Sequence, residues 1–346
     1  MNRQTVMLAA IPAALAGLSC LAADAALPVA GPRPAVSLVA EIPYRIDYQG
    51  WLTVDATVNG EGPYDFIVDS GATITSAFQN LADRQAFALA ERRRPIRILG
   101  LTSTRALPAY ELGDIEIGGV RLDDHVGVVL PDWTPPNRPP QGVLGLDLLT
   151  RYSVHIDADR NAIRFYPPDA AIEKPQRWTR TDMRPIRVDE DASPLYQIYV
   201  RVGTSRIPCI IDLGATGTVF NTPALRSMLG GLRINGTREQ GFTTGTRLND
   251  IFDNKDTARA IRISRLKIGQ TLWRNKIFIV YDAEIFKELG FDNKPFCLIG
   301  ADLLAGRSFI FDFSGESLYI GPEPTRRKQR GGFAREAENQ RTSVRD

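Results

Sequence analysis

Internal duplication constrains this chain more than any other feature. Phe66-Ile67-Val68-Asp69-Ser70-Gly71-Ala72-Thr73 returns as Cys209-Ile210-Ile211-Asp212-Leu213-Gly214-Ala215-Thr216. Leu144-Gly145-Leu146-Asp147-Leu148-Leu149 returns as Ile299-Gly300-Ala301-Asp302-Leu303-Leu304. Between these blocks, Ile115-Glu116-Ile117-Gly118-Gly119 matches Leu266-Lys267-Ile268-Gly269-Gln270. The last block runs on to Val154-His155-Ile156-Asp157 and Phe309-Ile310-Phe311-Asp312, with 12 residues from glycine to final aspartate in both copies. The copies stand 143 residues apart at Asp69 and Asp212 and 155 apart at Gly145 and Gly300, a drift that insertions in surface loops absorb. Three matched blocks in one order mean two equivalent structural units. Each unit delivers one carboxylate from the end of a buried apolar strand.

The local pattern is β-dominated. Leu52, Val54, Ala56 and Val58 alternate with Thr53, Asp55 and Thr57, as in a half-buried strand. Gly60-Glu61-Gly62-Pro63 turns the chain, and Tyr64 to Val68 returns toward Asp69. Leu195 to Val202 and Pro208 to Ile211 repeat this in the second half. Helices are predicted to be short. Thr222-Pro223 supplies an N-cap and a proline at the first helical position, and Asp147 and Asp302 are expected to cap a helix in each half. Asp157 and Asp312 read as turn residues after strands. Gly118-Gly119 is a strand-turn element and not a phosphate loop. Five prolines between Pro131 and Gln141 mark a loop inside the first half.

Two carboxylates brought together can hydrolyse an amide. Like charges at close range cannot both ionise easily, so one proton is shared and the two apparent pKa values separate. The ionised member takes a proton from an attacking water while the protonated member polarises the carbonyl and passes a proton on. Glycine after each Asp-x lets the backbone turn and approach its partner closely. Other chemistries lack their residues. His125 and His155 stand apart from any second His or Cys, which excludes a zinc site or a His-based triad, and there is no Gly-x-Ser-x-Gly or P-loop. Trp51, Trp133, Trp178 and Trp273 are dispersed, as core or rim residues would be.

Asp-x-Gly-Ala on an apolar strand (Asp-Ser-Gly-Ala in the first copy), paired with hydrophobic-Gly-x-Asp-Leu-Leu and present twice, resembles the retropepsin-like aspartic peptidases. Two units in one chain are similar to the two-lobed members related in plan to pepsin. The resemblance implies an all-β fold of two homologous acid-protease barrel lobes with short helices. The first lobe would span 43–168, the second 186–321, with a linker at 169–185. It implies a catalytic dyad of Asp69 and Asp212, supported by Ser70, Gly71, Leu213 and Gly214. It implies substrate-covering flaps around Gly100, Leu101 and Thr102 and around Gly241, Phe242 and Thr243. It implies a peptide or protein substrate, no cofactor, no metal and a monomer that is an internal pseudo-dimer. It also makes the strands of Cys209 and Cys297 neighbours, so these residues are either a disulfide or two buried thiols acting as small hydrophobes. One residue departs from the pattern. Leu213 stands where the family has a Ser or Thr whose hydroxyl braces the lobes, and only its backbone N–H remains to meet Ser70. A catalytically silent protein of the same fold that binds an extended peptide is therefore the alternative reading. With Ala72 and Ala215 in place of a further hydroxyl, an active enzyme is expected to have a less acidic optimum than pepsin.

At the ends of the chain, Arg3 precedes an apolar run from Val6 to Ala23 that closes with Ala23-Asp24-Ala25. This reads as a secretory signal peptide over 1–25, and the Gly17-Leu18-Ser19-Cys20 segment is a poor lipoprotein box. The mature protein is thus expected to be exported, periplasmic or secreted, with no stable membrane span. Residues 26–42 form an extended lead-in, which could occupy the cleft as a pro-segment. Residues 322–346 form a polar, basic tail without apolar periodicity, expected to be disordered. A formal net charge of +2 gives no ground for a nucleic-acid partner.

Overall fold

A computed structural model of the chain describes residues 37–47, 49–132, 139–170, 172, 177–190, 192–230, 242–249, 252 and 254–323. The expected signal peptide, the lead-in up to residue 36 and the tail from 324 lie outside the described residues.

Each copy of the duplicated sequence closes into a six-stranded barrel. In the first, Leu52–Val58 pairs with Glu61–Val68, which pairs with Gly142–Leu144, then Ser76–Phe78, Val120–Leu130 and Ala109–Ile117; that last strand returns to Leu52–Val58. In the second, the same path runs through Leu195–Val202, Ser205–Ile211, Cys297–Ile299, Val219–Phe220, Thr271–Val280 and Lys255–Ile268 and closes on Leu195–Val202. Closure removes the free edges that an open sheet of this length would expose. The alternation in the sequence is what fills the barrels. Val54, Ala56 and Val58 are buried, as are Ile198, Val200 and Val202 at the matching places.

A third sheet joins the halves. Its strands run in the order Ala40–Pro43, Ala162–Tyr166, Ser153–Asp157, Phe309–Asp312, Ser317–Ile320, Thr179–Asp182. The twin segments of the last repeated block pair with each other here, antiparallel from Ser153 opposite Asp312 to Ile156 opposite Phe309. An antiparallel pair of equivalent strands is what an internal two-fold axis produces. The proline-rich connection at 169–185 therefore contributes structure of its own. Thr179–Asp182 pairs with Ser317–Ile320, and Arg184–Ile186 pairs with the second barrel strand Leu195–Val202. One continuous apolar core runs through both lobes, from Ile42 and Leu52 to Leu318 and Ile320.

Two local expectations need correction. The helix Thr222–Gly230 is capped one residue earlier than Thr222. Asn221 Oδ1 accepts from the Ala224 N–H at 2.9 Å and from the Phe296 N–H at 3.0 Å, so the cap also fastens the helix to the next strand. Asp147 and Asp302 are not caps either, because Gly145 and Gly300 hold the N-cap positions of helices Leu146–Leu149 and Ala301–Leu304. Asp157 and Asp312 end their strands; Asp157 Oδ1 accepts from the Asp159 and Arg160 N–H groups of the following turn, and Asp312 Oδ1 from the Gly315 N–H.

Candidate active site

The two repeated motifs of each half occupy adjacent parallel strands. Phe66, Ile67 and Val68 lie opposite Gly142, Val143 and Leu144, while Cys209, Ile210 and Ile211 lie opposite Cys297, Leu298 and Ile299. The ladder extends one residue beyond each strand, with the Asp69 N–H donating to Leu144 O at 3.0 Å and the Asp212 N–H to Ile299 O at 2.9 Å. Both aspartates are therefore positioned by backbone pairing before any side-chain contact acts. In this register Cys209 faces Cys297 with 4.4 Å between Cα atoms, and the two are joined by a disulfide.

Behind each aspartate the chain loops and crosses under its own motif. The Leu146 N–H donates to Ala72 O, and the Ala301 N–H to Ala215 O, each at 2.8 Å. The crossings are close enough to require glycine. A Cβ at Gly145 would stand 2.6 Å from the Ile74 carbonyl carbon, and one at Gly300 2.6 Å from that of Gly217. A threonine six residues after each aspartate fastens the crossing. Thr75 Oγ1 accepts from the Gly145 N–H at 3.0 Å and donates to Asp147 Oδ1 at 2.7 Å. Thr218 Oγ1 accepts from the Gly300 N–H at 3.1 Å and donates to Asp302 Oδ1 at 2.7 Å. This is the work of Asp147 and Asp302, and burial pushes the Asp302 carboxyl up to about 6. Thr75 and Thr218 escaped the sequence reading, although Asp-x-Gly-Ala-Thr-x-Thr is common to both copies.

The folding of both halves brings Asp69 and Asp212 together, with their carboxyl groups hydrogen-bonded to each other. Asp69 Oδ1 accepts from the Gly71 N–H at 2.7 Å and the Gly214 N–H at 3.1 Å. Asp212 Oδ1 accepts from the Ala215 N–H at 2.9 Å. The glycines admit the opposing carboxylate, since a Cβ at Gly71 would stand 2.6 Å from Asp212 Oδ1 and one at Gly214 would overlap the Asp69 carboxyl. Electrostatics divide the pair. Burial raises Asp69, and amide donors from Gly71, Gly214 and Ala72 pull it back. Burial raises Asp212 well above the usual carboxylate range, and the neighbouring Asp69 charge raises it further. The dyad thus retains one proton, favouring Asp212, while Asp69 is the better anion.

The brace between the lobes is one-sided. Ser70 Oγ donates to Ile211 O at 3.0 Å and accepts from the Leu213 N–H at 3.2 Å. Leu213 is buried and returns no hydroxyl. A further donor from the first lobe, missed in the sequence, adds to this grip. Trp51 Nε1 donates to Gly214 O at 2.6 Å, and the matching place in the second half is Leu195, which has no such donor. The first lobe holds the Asp-Leu-Gly loop of the second more than the reverse.

Over the dyad lies a cavity of about 1250 Å3, lined by both aspartates, Trp51, Val219, Ile279 and the first flap. That flap is the hairpin Ile96–Leu99 and Thr104–Leu107, closed by the Gly100 N–H donating to Ser103 O at 2.8 Å. Gly100 and Leu101 of the expected flap tip line the cavity. The tip also reaches the opposite lobe: Leu101 O accepts from the Glu284 N–H at 2.8 Å, Arg97 pairs with Glu288 at 2.7 Å and Ser103 Oγ accepts from Asn254 Nδ2 at 2.9 Å. In the second half, Gly241 lies outside the described residues. Phe242 and Thr243 begin the strand Phe242–Asn249, paired along Lys255–Ile268 from Phe242 opposite Ile261. Among the described residues, no group of three or more His, Cys, Asp or Glu side chains could hold a metal ion.

The family comparison agrees with this plan in the first lobe. Residues 54–148, which include Asp69, Thr75 and Asp147, match the family model described as aspartyl protease. No curated protein matches the sequence significantly. Among solved structures, basic 7S globulin from soybean aligns over 83% of this chain and 95% of its own, at 11% identity and a TM-score of 0.45. The retropepsin-like likeness carried by the repeated motifs is met by the family model in the first lobe and by two closed barrels in the chain as a whole.

Proposed function

We propose that this chain is an aspartic endopeptidase that cleaves extended peptides with a water shared by Asp69 and Asp212. The observation that carries the reading is the hydrogen-bonded carboxyl pair, delivered by two equivalent loops to the floor of one cavity. Asp69, held as the anion by amide donors, takes a proton from the attacking water. Asp212, which keeps its proton by burial beside that anion, polarises the scissile carbonyl and then supplies the proton to the leaving nitrogen. The flap, whose Gly100 and Leu101 line the cavity, covers the bound peptide and keeps water out during reaction. Because burial raises both carboxyls and the Asp69 charge raises Asp212 further, the singly protonated dyad persists above the usual carboxylate range.

The disulfide and the apolar N-terminal run support an exported protein, and the presence of both aspartates in one chain supports a monomer acting on a peptide or protein substrate. Cell fractionation tests export, and retention of the full-length chain in the cytoplasm would contradict it. The activity is tested with purified protein lacking 1–25 and a diverse peptide mixture, from pH 3 to 7.5, beside Asp69→Asn and Asp212→Asn. Cleavage by the wild type alone is expected. A second reading, a silent peptide binder, is favoured by Leu213 and its one-way brace. Peptide binding by all three proteins with cleavage by none would establish it.

A further inference from the structure

The chain that leads into the flap carries Arg92-Arg93-Arg94-Pro95-Ile96-Arg97, and all four arginines line the cavity that holds the dyad. The backbone holds this run in place. Ala90 is buried, and its N–H donates to Ala109 O of the barrel at 2.9 Å, while the Arg93 N–H donates back to Ala90 O at 2.8 Å in a tight turn. Pro95 then fixes the entry into the flap strand Ile96–Leu99. Arg97 already shows what this wall accepts, because it holds the Glu288 carboxylate at 2.7 Å. Arg92, Arg93 and Arg94 are exposed and make no ion pair among the described residues.

No carboxylate on the cavity lining forms an ion pair with these three among the described residues. Of the other ionisable residues on its lining, Asp123 is offset by Arg121 at 3.1 Å, whereas Asp147 is hydrogen-bonded to the neutral Thr75 hydroxyl. Asp124, Asp147, Asp189 and the single anion of the dyad stand against Arg92, Arg93, Arg94 and Arg151, so the lining as a whole is near balance and the positive charge is local to the arginine run. Three successive guanidinium groups repel one another, and a concave wall concentrates their field on whatever enters. Each planar guanidinium also matches a carboxylate through two parallel hydrogen bonds.

We infer that the cleft selects peptides with two or more acidic side chains on one side of the scissile bond, placed against Arg92–Arg94. As a statement about cleavage this rests on the peptidase reading; as a statement about binding it does not. The probes are three fluorescent decapeptides of one sequence, carrying near one end two glutamates, two glutamines or two lysines. Binding to Asp69→Asn protein is read by anisotropy at low salt and at about 0.5 M salt, where the Debye length falls to roughly 4 Å. The glutamate peptide is expected to bind about tenfold more tightly than the glutamine peptide at low salt, as two exposed ion pairs allow. The advantage should shrink in high salt and vanish in the triple variant Arg92→Gln/Arg93→Gln/Arg94→Gln, whose fold is checked by circular dichroism. Arg97 is left intact because it ties the flap to Glu288. Equal binding of glutamate and glutamine peptides, tighter binding of the lysine peptide, survival of the preference in the triple variant, or no binding of any peptide would each overturn the inference. Wild-type protein with the same peptides separates the two readings. Cleavage without acidic preference leaves the peptidase and removes the arginine subsite, whereas selective binding without cleavage leaves the subsite and removes the peptidase.

Discussion

Ser70→Ala tests the one-sided brace directly. The Ser70 hydroxyl makes two hydrogen bonds across the lobe boundary, to Ile211 O at 3.0 Å and from the Leu213 N–H at 3.2 Å, in a buried setting. A net hydrogen bond contributes about 1 kcal/mol, and a buried donor left without a partner costs about 1–3 kcal/mol. Removing the hydroxyl strips both bonds and leaves the Leu213 N–H buried with no acceptor from Ser70. The expected loss is about 3 kcal/mol. For a chain of 346 residues that lowers Tm by roughly 4–5 °C. Because no hydroxyl at Leu213 substitutes for the lost contact, the cost should exceed that of one half of a symmetric brace. Thermal and urea unfolding of wild type, Ser70→Ala and Ser70→Thr measure it, with Ser70→Thr expected to retain most of the stability. A Tm drop below about 2 °C in Ser70→Ala would refute the argument, since the lobes would then be held by the shared sheet and core alone.

Gly214→Ala should abolish dyad function, because its Cβ would overlap the Asp69 carboxyl; peptide cleavage equal to wild type would show that the loop yields freely. Burial raises the Asp302 carboxyl to about 6, so the folded state keeps a proton that the unfolded chain loses near pH 4. That contribution is fully present below about pH 4 and is lost as pH rises through 6, a fall of about 3 kcal/mol over the window. Asp302→Asn removes the titration, so the difference between wild-type and variant stability should change between pH 4 and 6.5; parallel curves would contradict the assignment. Replacing Cys209 and Cys297 together by alanine should cost about 4–5 kcal/mol under oxidising conditions, as expected for opening an 88-residue loop. The same variant should equal the reduced wild type within about 1 kcal/mol, and a difference much larger than that would point to lost packing in place of lost cross-linking.

Much of the fold was legible because duplication is a property of the linear sequence. The alternation from Leu52 to Val58 and the apolar runs before Asp69 and Asp212 report burial directly, since side chains on a strand alternate between faces. Helix starts were read less well. Thr222 looked like a cap because it precedes a proline, yet Asn221 caps the helix by also reaching the Phe296 strand, a partner 75 residues away. Asp147 and Asp302 misled for the same reason: their partners, Thr75 and Thr218, are distant in sequence and adjacent only where the chain crosses under itself.

By itself, the sequence determined that two equivalent halves exist, that each ends a buried strand in Asp-x-Gly, and that Leu213 breaks the symmetry of the pair. Those are local patterns of residue type and spacing. The tertiary structure alone decided that the two carboxyls share a hydrogen bond, that Trp51 grips Gly214, that Cys209 meets Cys297 in register, and that Arg92–Arg94 line the same cavity as the dyad. Each of these depends on barrel closure and on the register between distant strands, which fix distances that no local pattern encodes.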